Sequence, residues 1–155
     1  MRIGHGYDAH TLVADRPLIL GGVNIPYPSG LAAHSDGDAV IHALCDALLG
    51  AMAFGDIGKH FPDTSNEFED IDSRILLRHV ANLLHQNDHS LANADITILA
   101  QQPKMSPHLG AMLENLSSDL DTAPANINIK ASTTEGMGFI GREEGIAVYA
   151  VALIN

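Results

Sequence analysis

Positive charge is scarce in this chain: 8 Lys and Arg stand against 19 Asp and Glu, a formal net charge of −11 at pH 7. A surface this acidic repels phosphate backbones and anionic headgroups, which argues against nucleic-acid binding and against docking on an anionic membrane. Phosphorylated small molecules stay open as substrates, because bound divalent cations reverse the local field. Cysteine is almost absent. Cys45, the only one, cannot form an internal disulfide and sits in an apolar helical run, which suits a reducing cytosol. No run of 18 apolar residues occurs, and the N-terminus lacks the basic-then-apolar pattern of a secretory signal. The expectation is a soluble, cytoplasmic protein. Internal repeats, linkers and low-complexity tracts are missing too. What is there is 155 residues, 46% apolar and 17% charged: enough for one domain over residues 1–155 with a real core, and too apolar for a disordered chain.

Chemistry concentrates near the start. Asp8 and His10 lie two apart in a run that reads as a strand, so carboxylate and imidazole point to one side and can meet one ion. The same pair also reads as ordinary polar residues at a strand end. A third ligand is on offer in His34-Ser35-Asp36-Gly37-Asp38-Ala39-Val40-Ile41-His42, a loop turning into a helix with His42 on its first turns. Two imidazoles and a carboxylate make a zinc set with an open fourth position, as in catalytic rather than structural sites. Asp38, His42 and Asp46 are spaced i, i+4, i+8 along that helix. Asp38 reads as support for a ligand at His42, and Asp46 as part of a solvated face.

In chain order, Pro17 to Pro26 reads as a hairpin around Gly21-Gly22, and residues 27–33 as a loop delivering His34. Ser35 or Asp36 is the expected N-cap of the first helix, whose Val40, Ile41, Leu44, Leu48 and Ala51 share a face. Residues 53–65 are too rich in Gly and Pro for regular structure. Asp56 and Asp63 there suit sugar hydroxyls or, better on pattern, turn caps. A second helix starts at Asp72 or Ser73, with Ile75, Leu76, Val80, Leu83 and Leu84 as its buried stripe; His79, His85 and His89 read as surface residues. Residues 95–100 form a strand ended by Pro103. A third helix opens at Met105 or Ser106, with Leu109, Met112, Leu113, Leu116 and Leu120 inward. Residues 125–131 alternate as a strand delivering Ser132, Thr133, Thr134 and Glu135, hydroxyls and a carboxylate suited to phosphate and metal. The last strand, 145–154, is apolar on both faces and so is covered on both sides, within the chain or by a partner. This order predicts an α/β (α+β) sandwich: a mixed four-stranded sheet with helices on one face, its other face packed in a homo-oligomer.

Taken in series, Gly4-His5-Gly6-Tyr7-Asp8-Ala9-His10, Leu20-Gly21-Gly22, Ala33-His34-Ser35-Asp36-Gly37-Asp38, Gly55-Asp56-Ile57-Gly58, Phe61-Pro62-Asp63-Thr64, Gln102-Pro103-Lys104-Met105, Thr133-Thr134-Glu135 and Gly138-Phe139-Ile140-Gly141-Arg142 carry a specific pattern. It resembles that of the 2-C-methyl-D-erythritol 2,4-cyclodiphosphate synthase family, of the non-mevalonate isoprenoid pathway. The resemblance runs from residue 1 to residue 154 with the motifs in order.

The resemblance implies a cyclising lyase acting on 4-diphosphocytidyl-2-C-methyl-D-erythritol 2-phosphate, whose 2-phosphate attacks its own β-phosphorus and expels CMP. It implies Asp8, His10 and His42 as zinc ligands, and Glu135 as a contact to a second ion, magnesium or manganese. His34, Thr133 and Glu135 would be catalytic. His34 and Ser35 would hold the 2-phosphate and the erythritol, and Asp8 and His10 would touch substrate as well. Asp56, Ile57, Gly58, Phe61, Pro62, Asp63, Thr64 and Ser65 would line the sugar and polyol site. Ala100, Gln101, Gln102, Pro103, Lys104, Met105 and Ser106 would wrap the cytosine, largely through backbone groups. Ser132, Thr133 and Thr134 would meet the CDP phosphates, and Phe139 and Arg142 belong to the substrate or axial-cavity set. A homotrimer with sites between subunits is implied, with an isoprenoid diphosphate left open as an occupant of the axial cavity. Three positions depart from the family's habit: Tyr7 for Phe, Ser132 for Thr, and Ser65 where an acidic residue is common. Two other classes compete, a metal-dependent phosphodiesterase using bulk water and a non-catalytic metal or nucleotide binder. Phosphorus NMR of the product separates a ring, a linear monophosphate and no product.

Overall fold

One long strand, β1 (Arg2–Ala14), sets the frame for the rest. The structure, a computed structural model, describes residues 1–62 and 71–155. β1 pairs antiparallel with β7 (Gly145–Ile154), from Arg2 opposite Ile154 to Thr11 opposite Gly145. On its other side β7 pairs antiparallel with β5 (Leu91–Leu99), and β5 runs parallel to β6 (Ile127–Ser132). The far end of β1 takes a short antiparallel strand, β4 (Ser29–Leu31). The sheet is mixed, as expected, but it has five strands in the order β4-β1-β7-β5-β6. The sequence reading counted four because three residues of the expected loop, 29–31, pair with β1 beyond the point where β7 ends. β2 (Leu18–Leu20) and β3 (Val23–Ile25) form the expected hairpin. Gly21 and Gly22 have φ of +56° and +71°, the left-handed pair that a two-residue turn matched to strand twist requires.

Helix α1 (Ala39–Met52) lies across one face of the sheet. The expected single apolar face is too narrow a description, because every residue of α1 except Asp46 and Gly50 is buried. The helix is sandwiched between β1 and β7 below and α3 (Ser73–Gln86) beside it, so it is apolar nearly all round. Its N-cap is Asp38, not Ser35 or Asp36, with the carboxylate accepting the Ile41 N–H at 3.0 Å.

Asp72 caps α3 as one of the two expected residues. Its inward face is Leu76, Leu77, Val80, Ala81 and Leu84, whereas Ile75 is exposed. The stretch read as irregular contains a single helical turn, α2 (Ile57–His60), capped by Asp56, whose Oδ1 accepts the Lys59 N–H at 3.0 Å. Asp56 is thus the turn cap that its pattern favoured. Asp63, Thr64 and Ser65 lie outside the described residues. α4 (Leu109–Asp119) begins three or four residues after the expected start at Ser106 or Met105, following a turn at 105–108. A last helical turn, α5 (Gly138–Gly141), leads into β7.

The other face of the sheet has no cover among the described residues. Ile3, Tyr7, Tyr149 and Val151 project from it, exposed by 72%, 45%, 42% and 39%, while their neighbours Gly4, Gly6, Val148, Ala150 and Ala152 are buried against the helices. On this second face of β7, Ala147 is buried, but Tyr149 and Val151 have no cover among the described residues.

Candidate active site

Even-numbered residues of β1 face α1, and two of them, Gly4 and Gly6, are glycines for a reason of space. A Cβ on Gly4 would come within 1.8 Å of the Ala47 carbonyl oxygen, and one on Gly6 within 1.9 Å of that of Ala43. Ala43, Ala47 and Ala51, one helical turn apart, are the matching small stripe, so strand and helix backbones nearly touch at this end. The next two even positions are Asp8 and His10, opposite the first turns of α1, where His42 points back at them.

Asp8 Oδ2 lies 2.8 Å from His10 Nε2 and 3.1 Å from His42 Nδ1. The other nitrogen of His10, Nδ1, donates to the Ala32 carbonyl at 2.9 Å, which turns Nε2 toward the carboxylate. His42 Nε2 faces Ser73 Oγ at 2.9 Å and Ser35 Oγ at 3.3 Å. One ligand atom from each of Asp8, His10 and His42 falls within 4.8 Å of the others, and they are the group of this kind among the described residues. Burial alone would raise the Asp8 carboxyl, but hydrogen bonds and charge from the two imidazoles overcome it and bring the pKa down to about 2. Burial pulls His42 the other way, and contact with Asp8, with Asp38 and Asp36 behind it, leaves its pKa raised.

The triad forms the floor of a cavity of about 230 Å³ whose walls include Ala33, His34, Ser35, Ile57, Gly58, Phe61, Ile71 and Leu76. His34 is exposed, and Arg16 donates to the Ser35 carbonyl at 2.5 Å, which holds this loop down. Of the expected sugar-site residues, Ile57, Gly58 and Phe61 are in this wall; Asp56 is spent on its cap and does not line it.

Two corrections concern carboxylates near His42. Asp38 does not support the imidazole by hydrogen bonding. It is fully buried and accepts the N–H groups of Gly21, Gly22 and Ile41 at 2.9, 2.7 and 3.0 Å, stitching the hairpin turn to the start of α1. Asp46 is not on a solvated face either. It is half-buried and accepts the Ile57 N–H at 2.8 Å, so it positions the turn that forms one wall of the cavity. Cys45 is fully buried, which pushes its thiol pKa well up and disfavours the reactive thiolate.

A second cavity, of about 480 Å³, collects Ala100, Gln101, Gln102, Pro103, Lys104, Met105 and Ser106 with Ala131, Ser132 and Thr133. The expected cytosine and phosphate residues are thus brought together, apart from the metal triad. Thr134 and Glu135 follow in the turn after β6. Glu135 is exposed, adopts φ +54°, and has its N–H on Thr133 Oγ1 at 3.2 Å. Phe139 lines a third hollow with Ala9, His10, Thr11, Glu144 and Gly145. Arg142 is exposed and forks onto Glu144 at 2.9 and 3.2 Å. Tyr7 meets Tyr149 on the open face of the sheet, ring centroids 4.9 Å apart and the planes tilted by 47°.

Sequence reasoning missed Gly4, Gly6, Ser73 and Asp36 as parts of this site. The alternation of the two glycines with Asp8 and His10, set against Ala43, Ala47 and Ala51 at helical spacing, was the available signal for the first pair. Nothing local signals Ser73, which reaches His42 from 31 residues away.

The model of the YgbB family matches residues 1–155. The chain is 59% identical over 155 residues to the 2-C-methyl-D-erythritol 2,4-cyclodiphosphate synthase of Pseudoalteromonas translucida, covering 100% of this chain and 94% of that one. It is 60% identical to the synthase of Shewanella frigidimarina, covering 100% and 98%. Among solved structures, a 2C-methyl-D-erythritol-2,4-cyclodiphosphate synthase with CDP bound superposes with a TM-score of 0.91 at 38% identity, covering 99% of this chain and 100% of that one. The bifunctional IspDF of Campylobacter jejuni superposes with a TM-score of 0.95 at 43% identity; the chain covers 99% of itself and spans 42% of that protein.

Proposed function

The chain belongs to the YgbB family, whose curated relatives are 2-C-methyl-D-erythritol 2,4-cyclodiphosphate synthases, and from that premise we propose how its residues divide the work. The reaction converts 4-diphosphocytidyl-2-C-methyl-D-erythritol 2-phosphate to 2-C-methyl-D-erythritol 2,4-cyclodiphosphate and CMP. An oxygen of the 2-phosphate bonds to the β-phosphorus, and the bond from that phosphorus to the bridging oxygen breaks, so CMP leaves with the oxygen. The attacking group is already an anion, so the site needs positioning and charge neutralisation more than a strong base.

The observation that carries the reading is the convergence of Asp8, His10 and His42 on the floor of the cavity walled by His34 and Ser35. One carboxylate and two imidazoles fit zinc with a position left for substrate oxygen. Glu135, an exposed carboxylate beside Thr133, would offer an oxygen ligand to a hard cation. When bound, zinc at the triad and magnesium or manganese at Glu135 supply positive charge against the reacting phosphates. His34 and Ser35 hold the 2-phosphate and the erythritol. Ile57, Gly58 and Phe61 pack on the polyol, with Asp56 and Pro62 on the same stretch and Asp63, Thr64 and Ser65 assigned there from the family pattern alone. Ser132, Thr133 and Thr134 hold the diphosphate, Thr133 and His34 being the protein groups assigned to the reacting phosphates.

The seven residues from Ala100 to Ser106 take the cytosine, a role supported by their shared cavity and by the CDP complex of the relative. Phe139 and Arg142 border the substrate or the axis of the assembly. Within one chain the two halves are separated by β7 and β5. Asp8 and Ala131 lie three strand spacings apart, about 14 Å across the sheet. That separation and the uncovered Tyr149 and Val151 of β7 support a homotrimer in which the triad of one subunit meets the nucleotide pocket of the next. No helix among the described residues is long and apolar enough to cross a membrane; work in the cytoplasm is part of the same proposal. Phosphorus NMR of the product tests the whole reading: a cyclic diphosphate with CMP is expected, whereas a linear phosphate would make the protein a hydrolase.

A further inference from the structure

Ser73 is fully buried, opens α3, and has no part in the roles assigned above. Its hydroxyl oxygen lies 2.9 Å from His42 Nε2 and 2.5 Å from Asp36 Oδ1. A carboxylate only accepts, so the single hydroxyl hydrogen of Ser73 goes to Asp36. The opposite choice, O–H donating to Nε2, would leave two oxygens at 2.5 Å with no hydrogen between them. Ser73 therefore meets His42 with a lone pair, and Nε2 is the donor. Backbone groups fix the carboxylate: Oδ2 accepts the Ser73 N–H at 2.9 Å and Oδ1 the Asp38 N–H at 3.1 Å. The Asp36 N–H reaches the Ile71 carbonyl at 3.4 Å, tying the same loop to the approach of α3. Ser35 Oγ, at 3.3 Å from Nε2, is a second and longer acceptor.

We infer that Ser73 and Asp36 are positioning residues of the metal centre: the chain Nε2–H to Ser73, then Ser73 O–H to Asp36, fixes the tautomer and tilt of His42 and reserves Nδ1 as its ligand atom. Nδ1 is the nitrogen that faces Asp8, and its lone pair can serve an ion only while the proton resides on the other side of the ring. His10 is handled in the mirrored way. Its Nδ1 donates to a main-chain carbonyl and its Nε2 faces the ion position. The two imidazoles thus approach the centre through different nitrogens, each set by the partner of the other nitrogen.

The inference rests on the zinc reading of the triad, and the test keeps the two apart. Zinc affinity is measured by chelator competition for the parent, Ser73→Ala and Asp36→Asn, with circular dichroism as the check on folding. Ser73→Ala removes the hydroxyl but keeps the N–H that anchors α3, so the fold is expected to survive. Each variant is expected to bind zinc about 10- to 100-fold more weakly. Long-range proton–nitrogen NMR of histidine-labelled parent protein is expected to find His42 protonated at Nε2 with and without zinc. A slowly exchanging Nε2–H is expected in the parent and lost in Ser73→Ala. Parent-like zinc affinity in both variants, or a His42 without a proton at Nε2, would overturn the inference. A parent that takes up no zinc would remove the metal reading, while the Nε2 proton of the metal-free protein still decides the relay. If both variants fail to fold, the parent spectrum decides it alone.

Discussion

Asp38 is a fully buried carboxyl on which opposing influences act. Burial raises its carboxyl pKa from 3.8 to about 6, Asp36 adds to the rise, and the three N–H donors from Gly21, Gly22 and Ile41 pull back without winning. Between those two values the folded protein keeps a proton that the unfolded chain has released. The stability contributed by this group is therefore full below pH 3.8 and is lost as the pH rises through about 6. At about 1.4 kcal/mol per pKa step, the difference between pH 4 and pH 7 is about 2 kcal/mol, since the unfolded carboxyl is already more than half ionised at pH 4. In Asp38→Asn the amide sets a donor against a backbone donor, which costs about 1–3 kcal/mol, and the titration disappears. Urea unfolding of the chelator-treated proteins is expected to give a parent advantage that shrinks from pH 4 to pH 7. A gap independent of pH would mean that the carboxyl titrates in its ordinary range.

At the scale of elements, the junction of β1 with α1 has no room to give. Gly6→Ala drives a Cβ into the Ala43 carbonyl, a backbone atom that cannot swing aside, so the loss is expected at or above the upper end of about 1–3 kcal/mol for overpacking. It also pushes Asp8 away from His42. Thermal unfolding and zinc content are both expected to drop, whereas Gly110→Ala, where a Cβ meets nothing within 4 Å, leaves both unchanged. α2 has a different weakness, since its start hangs on Asp46. Asp46→Ala leaves the Ile57 N–H without its acceptor, and the cavity wall at Ile57 and Gly58 loosens. The expected result is a several-fold higher KM with kcat nearly kept; a fall in kcat at unchanged KM would place Asp46 in the chemistry instead. These elements also mark how far the sequence alone could be followed. The period-2 spacing of Asp8 and His10, the helical placement of His42 and the Gly21-Gly22 hairpin were legible because each is a local pattern. Asp38 bonding a turn 17 residues earlier, Ser73 reaching His42, and Ile75 turning outward all depend on how elements dock, which no local periodicity encodes. β4 was missed for the same reason: three residues are a strand only because β1 outruns β7.

For the whole molecule, the separation of triad and nucleotide cavity on one chain makes a testable demand. If Asp8, His10 and His42 of one subunit work with Lys104 and Glu135 of the next, two dead proteins can repair each other. Asp8→Ala and Glu135→Ala, each inactive, are co-refolded so that subunits mix at random. About a quarter of the sites then draw both halves from unmutated segments, and activity at about that fraction of the parent is expected. Mixing without exchange should stay silent. A silent co-refolded sample, with mixed trimers verified by mass, would mean that each site is built from one chain.

β1 is written in two interleaved frames. Positions 4, 6, 8 and 10 address the helix and the ion, and positions 3, 5 and 7 address the open face with its tilted pair of rings, Tyr7 and Tyr149. Parity, not proximity, keeps the two messages apart, since neighbours along the strand serve different surfaces. Deleting one residue between Gly6 and Asp8 would swap the frames downstream, sending the triad's carboxylate out to the open face. A strand of this kind leaves its open-face positions freer to vary than its helix-facing ones, where Gly4 and Gly6 meet backbone and Asp8 and His10 meet the ion, provided the count of residues is left alone.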